Sequence, residues 1–273
     1  MCTLVFAWQV FADAPLVAAA NRDEATDRPS LPPRRLEDDP VVVAPQDEEA
    51  GGTWLGVNEH GVFVALTNRW VDLEGERSRG LLVREALRRQ GADDAARLVE
   101  RDVEPGRYAG FNLVVADADA AVELAWDGRL SVRHLRPGVH VVVNVGSTTS
   151  HCAPGGGNFF VPEARPEAGR QQAENARGLA AALRPEPGEA PDAWRDLAAD
   201  AISDHEFGVC VHGDVSERNR DGSSDSSGGG FGTRSSSLVT LHDDGLVEFA
   251  FADGPPCRTE YEPVEAALDL GGG

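Results

Sequence analysis

The sequence predicts an α+β protein in which two antiparallel sheets pack face to face and the helices lie outside them. About a dozen short apolar segments are separated by turns rich in Asp, Gly and Pro, which is typical of antiparallel strands. About four helices are predicted, and they fall in blocks between groups of strands. For a chain of 273 residues, we expect a single domain spanning residues 1–273.

The first half of the chain is predicted to supply the first strands and two helices. Strands are predicted at 3–11, 15–20 and 41–44, with the polar residues 21–24 after the second strand and a Pro-rich connection at 26–40. A hairpin is expected from 53–57 and 62–68, so that Asn68 ends its second strand. Helices follow at 78–90 and 93–100.

The second half is predicted to form a strand series, two helices and a final strand group. The strands are expected at 111–116, 122–126, 130–134 and 139–145, and Asn144 lies near the end of this series. Helices are predicted at 163–183 and 192–203, and further strands at 207–211, 235–241, 246–251 and 259–262. Residues 213–232 have almost no large apolar side chains, so a mobile surface loop is expected there, leading into a strand at Arg234.

The charge excludes several kinds of site. The chain has 46 acidic and 25 basic residues, and every basic residue is Arg. Without lysine there is no Walker-type phosphate loop, Schiff-base lysine or Ser-Lys dyad. The acid excess repels nucleic acid and anionic lipid, so we expect neither nucleic-acid binding nor stable membrane association. It is typical of a salt-adapted cytoplasm, and a cytoplasmic, halophilic protein is therefore expected.

The apolar start does not have the pattern of a signal peptide. Gln9, Asp13 and Pro15 interrupt it, and no positive charge precedes it. The four cysteines show no CxxC spacing, and we therefore expect reduced thiols, no bound metal and no cofactor.

Cys2 is the strongest candidate for a catalytic residue. Removal of Met1 would give it a thiol and a free α-amine, that is, a nucleophile with its own base. The alternative is that Cys2 is a small packing residue, as most buried cysteines are. Cys2 starts a strand, Asn68 and Asn144 end strands, and Arg234 begins one. If these ends meet, Cys2 would attack a carbonyl and the two Asn amides would bind the oxyanion.

The polar string after the second strand supplies further candidates. Asp23 would orient the α-amine, while Arg22 or Arg234 would lower the thiol pKa or hold a carboxylate. Asn21, Arg22 and Glu24 are the predicted substrate-binding residues.

Several motifs closely resemble those of the NRDE-domain family, the Transport and Golgi organization protein 2 group. They are Met1-Cys2, AANRDE at 19–24, GGTWLGV at 51–57, ALTN at 65–68, GFNLVVAD at 110–117 and GTRSSS at 232–237. The resemblance covers nearly the whole chain. It implies the four-layer αββα sandwich of the N-terminal nucleophile hydrolases.

The choloylglycine-hydrolase and penicillin V acylase branch of that fold also begins with Met-Cys and carries an Asn-x-Asp after its second strand. The resemblance implies oxyanion and substrate-orienting roles for Asn68 and Asn144, and a late Arg at Arg234. The branch has a further Arg where this chain has Ala20. Arg22 lies on the same strand face, roughly 6 to 7 Å further along.

Three functions follow as alternatives. The first is a cysteine amidohydrolase that acts on a non-peptide C–N amide bond of a small molecule. The second is a carrier for an apolar carboxylate ligand such as haem or an acyl lipid, because eukaryotic relatives are associated with haem trafficking and lipid homeostasis. The third is a scaffold whose site has lost both activities.

Overall fold

The computed structural model describes residues 2–148, 157–212 and 230–265. Within these ranges the first sheet contains β1 (Thr3–Trp8), β2 (Leu16–Ala25), β10 (Gly138–Val143), β11 (Gly146–Ser147), β12 (Asn158–Phe159), β13 (Phe231–Leu241), β14 (Val247–Ala252) and β15 (Glu262–Pro263). The second contains β3 (Ser30–Asp38), β4 (Val41–Asp47), β5 (Leu55–Asn58), β6 (Phe63–Asn68), β7 (Phe111–Ala116), β8 (Ala121–Trp126) and β9 (Leu130–His134). The helices are α1 (Arg79–Ala86), α2 (Ala92–Asp102), α3 (Pro166–Ala182) and α4 (Pro191–Ser203).

The two antiparallel sheets form the middle of a four-layer sandwich, which confirms the predicted fold class. The first sheet has the order β12-β11-β10-β1-β2-β13-β14-β15. The second runs from β3 to β9 in chain order, so that β3 and β9 are its edge strands. Helices α1 and α2 cover the second sheet, while α3 and α4 cover the first. No helix of the described residues is both long and apolar enough to cross a bilayer.

Strand β1 is buried on both faces because it lies in the middle of the first sheet. Leu4 and Phe6 enter the core between the sheets, whereas Val5 and Ala7 enter the core under α3 and α4. Side chains alternate between faces along a strand. The same alternation in β2 directs Ala20, like Ala18, to the space between the sheets.

Strand β2 is longer than predicted and contains the whole polar string from Asn21 to Glu24. Its last residues pair with β13 on one side, so hydrogen bonding to a partner strand overrides their low strand propensity. The strand therefore sends alternate polar side chains to opposite faces. Residues 30–38, predicted as a connection, form the edge strand β3, where prolines are tolerated.

Two predictions near the end of the chain were wrong. Residues 207–211 form turns instead of a strand, and the strand contact there is a single bridge from His212 to Gly232. Strand β13 begins at Phe231, so Arg234 lies inside it and not at its entry. Most of the loop predicted at 213–232 lies outside the described residues.

Helix α1 is held against the second sheet by a close glycine contact. A Cβ added to Gly52 would lie 2.3 Å from the carbonyl carbon of Gly80. Ser78 caps the helix by accepting a hydrogen bond from the Gly80 N–H, and Thr53 N–H donates to the Gly80 carbonyl at 3.1 Å. The GGTW motif thereby fixes the first turn of α1, which contains Arg79.

Candidate functional site

The predicted site forms at the end of the sandwich where β1 begins. Both ladders of β1 end at Thr3, which pairs with β2 and β10. The preceding residue, Cys2, therefore lies between Arg22 of β2 and Asn144, which follows β10. The structure brings these three residues together, although they are far apart in sequence.

Cys2 is partly exposed, and its thiol donates to the main-chain oxygen of Asp23 at 3.6 Å. Burial raises the pKa of the Cys2 thiol above its usual range, and the carboxylates of Asp23 and Glu24 act in the same direction. A thiol in this position needs a base or a nearby cation to become an efficient nucleophile.

Asp23 is paired with Thr233 of β13 and belongs to a short series of hydrogen bonds. The hydroxyl of Thr233 donates to Asp23 Oδ1 at 2.6 Å and accepts from the Val211 N–H at 2.9 Å. Burial raises the pKa of the Asp23 carboxyl, although the bond from Thr233 opposes the change.

We predict that Asp23→Asn raises the melting temperature at neutral pH. A carboxyl whose pKa is higher in the folded state binds its proton more tightly there, so its contribution to stability falls as the pH rises through the ordinary Asp range. Asn removes the buried charge and keeps an acceptor for Thr233. The difference should disappear at acidic pH, where Asp23 is protonated in both states, and thermal melts between pH 3 and 8 would measure it.

Asp47→Asn provides the matched control, with the opposite expected sign. Although burial acts to raise it, the bond from Arg28 and the nearby Arg22 hold the pKa of the Asp47 carboxyl below its usual range. Its stabilisation is present at neutral pH and is lost as the pH falls through the folded-state pKa. Asp47→Asn should therefore melt lower at pH 7, and a lower melting temperature for Asp23→Asn as well would contradict the prediction.

Arg22 is a buried cation between the sheets. Its guanidinium lies 4.2 Å from the Trp54 ring centre and 3.3 Å from Asp47 Oδ2. Arg28 shares the Asp47 carboxylate, with its Nε 2.6 Å from Oδ2. Burial lowers the pKa of Arg22, and the Glu24 carboxylate and an ionised Cys2 lie near enough to oppose this change. The arrangement places a positive charge on the Cys2 side of β2.

Arg79 is a site residue that the sequence analysis missed. Burial lowers its pKa, and Cys2 and Glu24 are the charged groups that oppose this change. Its Nη1 donates to the Gly110 carbonyl at 2.7 Å. The sequence does contain one indication of this role. A positive side chain in the first turn of a helix interacts unfavourably with the helix dipole, so Arg79 at the start of α1 suggests a role outside the helix.

Asn144 is held between the end of β6 and helix α3. Its Nδ2 donates to the main-chain oxygen of Asn68 at 2.6 Å, and its Oδ1 accepts from Gln172 Nε2 of α3 at 2.9 Å. The amide is 2% exposed, so its orientation is fixed. The Asn144 NH₂ group has two hydrogens, and the bond to Asn68 uses one of them. Among the described residues, the second hydrogen has no acceptor.

Asn68 and Asn21 do not meet Cys2 as predicted. Asn68 contributes its main-chain carbonyl to Asn144, while the alternation along β6 directs its side chain to the α1 face. Asn21 lies on the α4 face of β2, where its Nδ2 donates to the carbonyls of Ile202 and Val209 at 2.8 and 3.0 Å. The geometry thus supports neither an oxyanion contact from the Asn68 side chain nor a substrate contact from Asn21.

Arg234 and Glu24 lie at the border of the site. Arg234 is the extra residue of a β-bulge between Thr233 and Ser235, opposite the Arg22–Asp23 step of β2. Its Nε is buried and has no hydrogen-bond partner among the described residues. Glu24 is partly exposed and, by the alternation along β2, lies on the same face as Arg22.

A sequence profile of the family "Transport and Golgi organisation 2" matches residues 1–251. The chain belongs to this family. The human Transport and Golgi organization protein 2 homolog is 37% identical over 112 residues, which are 39% of this chain and 40% of the human protein. The mouse homolog is 36% identical over 107 residues, or 37% of this chain and 38% of that protein. Both alignments span well under half the length of these relatives.

The fold of this Transport and Golgi organisation 2 family member is that of the N-terminal nucleophile hydrolases. Penicillin V acylase from Agrobacterium tumefaciens superimposes with a TM-score of 0.54 over 98% of this chain and 88% of the acylase, at 16% sequence identity. The predictions of family and fold are therefore confirmed.

Two further features of this family member lie away from Cys2. A groove of about 1000 Å³ runs between α4 and β14, and Cys2 does not line it. At one end of this groove Cys257 lies in a cluster with His205, Cys210 and His212. The expected absence of a metal site relied on the lack of CxxC spacing, but folding brings together four side chains of the types that bind metals.

Proposed function

We propose that this protein is an N-terminal-cysteine amidohydrolase that cleaves a non-peptide C–N amide bond of a small molecule. One observation carries the proposal: the Cys2 thiol lies at the open end of a central strand, next to Asp23, Asn144 and a buried guanidinium. An N-terminal nucleophile, an oriented amide and a cation are the groups that acyl transfer requires.

The reaction has two steps. The α-amine of Cys2, exposed by removal of Met1, accepts the thiol proton while Sγ forms a bond to the amide carbonyl carbon. The tetrahedral intermediate collapses when the C–N bond breaks and the nitrogen takes the proton, which releases an amine and leaves a thioester on Cys2. Water then attacks the thioester, so that one amide and one water give one acid and one amine.

The surrounding groups act on the charges that develop. The free amide hydrogen of Asn144 is available to the oxyanion, and its orientation is already set by Asn68 and Gln172. Arg22 and Arg79 lie near enough to Cys2 for an ionised Cys2 to raise their pKa values, so their positive charges would favour a thiolate there. Asp23 would orient the α-ammonium group through its buried carboxylate.

Arg234 suggests which substrates to test. Its buried Nε has no partner among the described residues, and a carboxylate on the substrate would satisfy this guanidinium. Glu24 would contact a substrate amine or hydroxyl on the same side. Amides that also carry a carboxylate are accordingly the first compounds to screen.

The test compares the natural protein with a chain in which one Gln is inserted between Met1 and Cys2. Intact mass should show that Met1 is removed from the natural protein. At pH 7, alkylation of the cysteine should be at least about 10-fold faster in the natural protein than in the extended chain. The extended chain keeps the thiol, but the nitrogen of its cysteine is part of a peptide bond. Turnover should fall by about 10² to 10⁴, the usual contribution of a positioned base.

Glutathione alkylated under the same conditions provides the reference for an ordinary thiol. Retention of Met1, or a Cys2 that reacts no faster than glutathione, would overturn the hydrolase proposal. In that case the carrier function for an apolar carboxylate becomes the hypothesis to test.

A further inference from the structure

We propose that His205, Cys210, His212 and Cys257 form a structural zinc site. The ligand atoms of these four side chains all lie within 4.8 Å of one another. They come from the segment after α4 and from the turn after β14, and their side chains converge on one small volume.

The separations are close to those of a tetrahedral site. His212 Nε2 lies 3.1 Å from His205 Nε2, 3.0 Å from Cys257 Sγ and 3.7 Å from Cys210 Sγ. With the usual Zn–N and Zn–S bond lengths, tetrahedral ligands are separated by roughly 3.3 to 3.8 Å. A shift of a few tenths of an ångström would therefore admit the ion.

The kind and number of ligands favour zinc in a structural role. Two thiolates and two imidazoles are the ligands of Cys₂His₂ zinc sites, whereas catalytic zinc sites keep one position for water. Binding releases one proton from each thiol, and the two thiolates balance the charge of Zn²⁺. No oxidant or reductant is needed.

The site would hold the segment that contacts Asp23. Val209 accepts from Asn21, and Val211 N–H donates to Thr233, whose hydroxyl donates to Asp23. These residues alternate with Cys210 and His212 along the chain. The zinc would thus link the 205–212 segment to the turn after β14. It would thereby help to maintain the hydrogen bond from Thr233 to Asp23. This inference does not depend on the proposed hydrolase function.

The experiment uses the full chain expressed in medium containing zinc. Elemental analysis should find one zinc per chain in the natural protein and also in Cys2→Ala, which separates this proposal from the catalytic one. Cys257→Ser and His205→Ala should each bind zinc at least about 100-fold more weakly, because even partners of the ligands contribute about 10- to 100-fold. His60→Asn, at an exposed turn of the second sheet, is the control and should keep its zinc.

Cobalt provides an independent measurement. The zinc-free protein should bind one Co²⁺ and give the strong visible bands of tetrahedral cobalt together with a thiolate charge-transfer band, and Cys257→Ser should lose the latter in part. Removal of zinc should lower the melting temperature of the natural protein and have no effect on Cys257→Ser. Failure of the zinc-free protein to take up one equivalent of zinc, or a Cys210–Cys257 disulfide in protein purified without reductant, would overturn the proposal.

Discussion

Cys2→Ala should reduce turnover of any amide substrate by at least about 10³-fold while the protein remains folded. The substitution removes the atom that forms the thioester, and no other group at the site can take its place. Cys2 is partly exposed and at the start of β1, so the loss of its sulfur leaves the cores of the sandwich intact. Single-turnover kinetics, with acid trapping of the thioester in the natural protein, would measure the effect.

The same variant distinguishes the hydrolase from the carrier. A hydrolase variant should still bind its substrate, and the thioester should be absent from its mass spectrum. If the natural protein binds an acyl or haem-like carboxylate without cleaving it, and Cys2→Ala binds it equally well, the carrier function would replace the hydrolase. Cys2→Ser is the matched control, because it replaces the thiol with a hydroxyl of similar size that is a much weaker nucleophile.

Asn21→Ala should lower the free energy of unfolding by about 2 to 5 kcal/mol. The substitution leaves two buried carbonyls, those of Ile202 and Val209, without their donor, and each unsatisfied group costs about 1 to 3 kcal/mol. Urea unfolding followed by tryptophan fluorescence would measure the loss.

Asn158→Ala, on the exposed edge strand β12, is the control and should change the stability by less than about 0.5 kcal/mol. If Asn21→Ala had normal stability and a raised KM, Asn21 would be a substrate-binding residue, as the sequence predicted. The structure instead leads us to expect normal KM values in the fraction that is folded.

The sequence predicted the two-sheet architecture because its strands are apolar and well separated by turns. The strand-end positions of Cys2 and Asn144 predicted one common edge, and the pairing of β1 with β10 places the two residues side by side. Their catalytic roles stay predictions. It placed Asn21 wrongly because an Asn after an apolar run normally ends a strand, whereas pairing with β13 extends β2 through it. Because Asn21 belongs to the strand, the alternation of side chains places it on the α4 face and not beside Cys2.

Other features depended on contacts that no local pattern encodes. Arg79 is one of 25 arginines, and its helix turn is fixed by tertiary contacts such as the packing of Gly52 against Gly80. The histidine and cysteine cluster joins residues 45 positions apart, because Cys257 meets His212 across β13 and β14. Metal-ligand spacing rules apply to ligands from one short segment and therefore missed it.

The bulge in β13 sets Arg234 apart from the neighbouring residues of that strand. On either side of it the strand pairs regularly with β2, so Arg234 is the residue of β13 that the ladder can lose without shifting any other pair. Exchange or deletion of this side chain should therefore leave Thr233 on Asp23 and Ser235 opposite Arg22. The sheet that carries Cys2 thus tolerates change at this one position without any change of register.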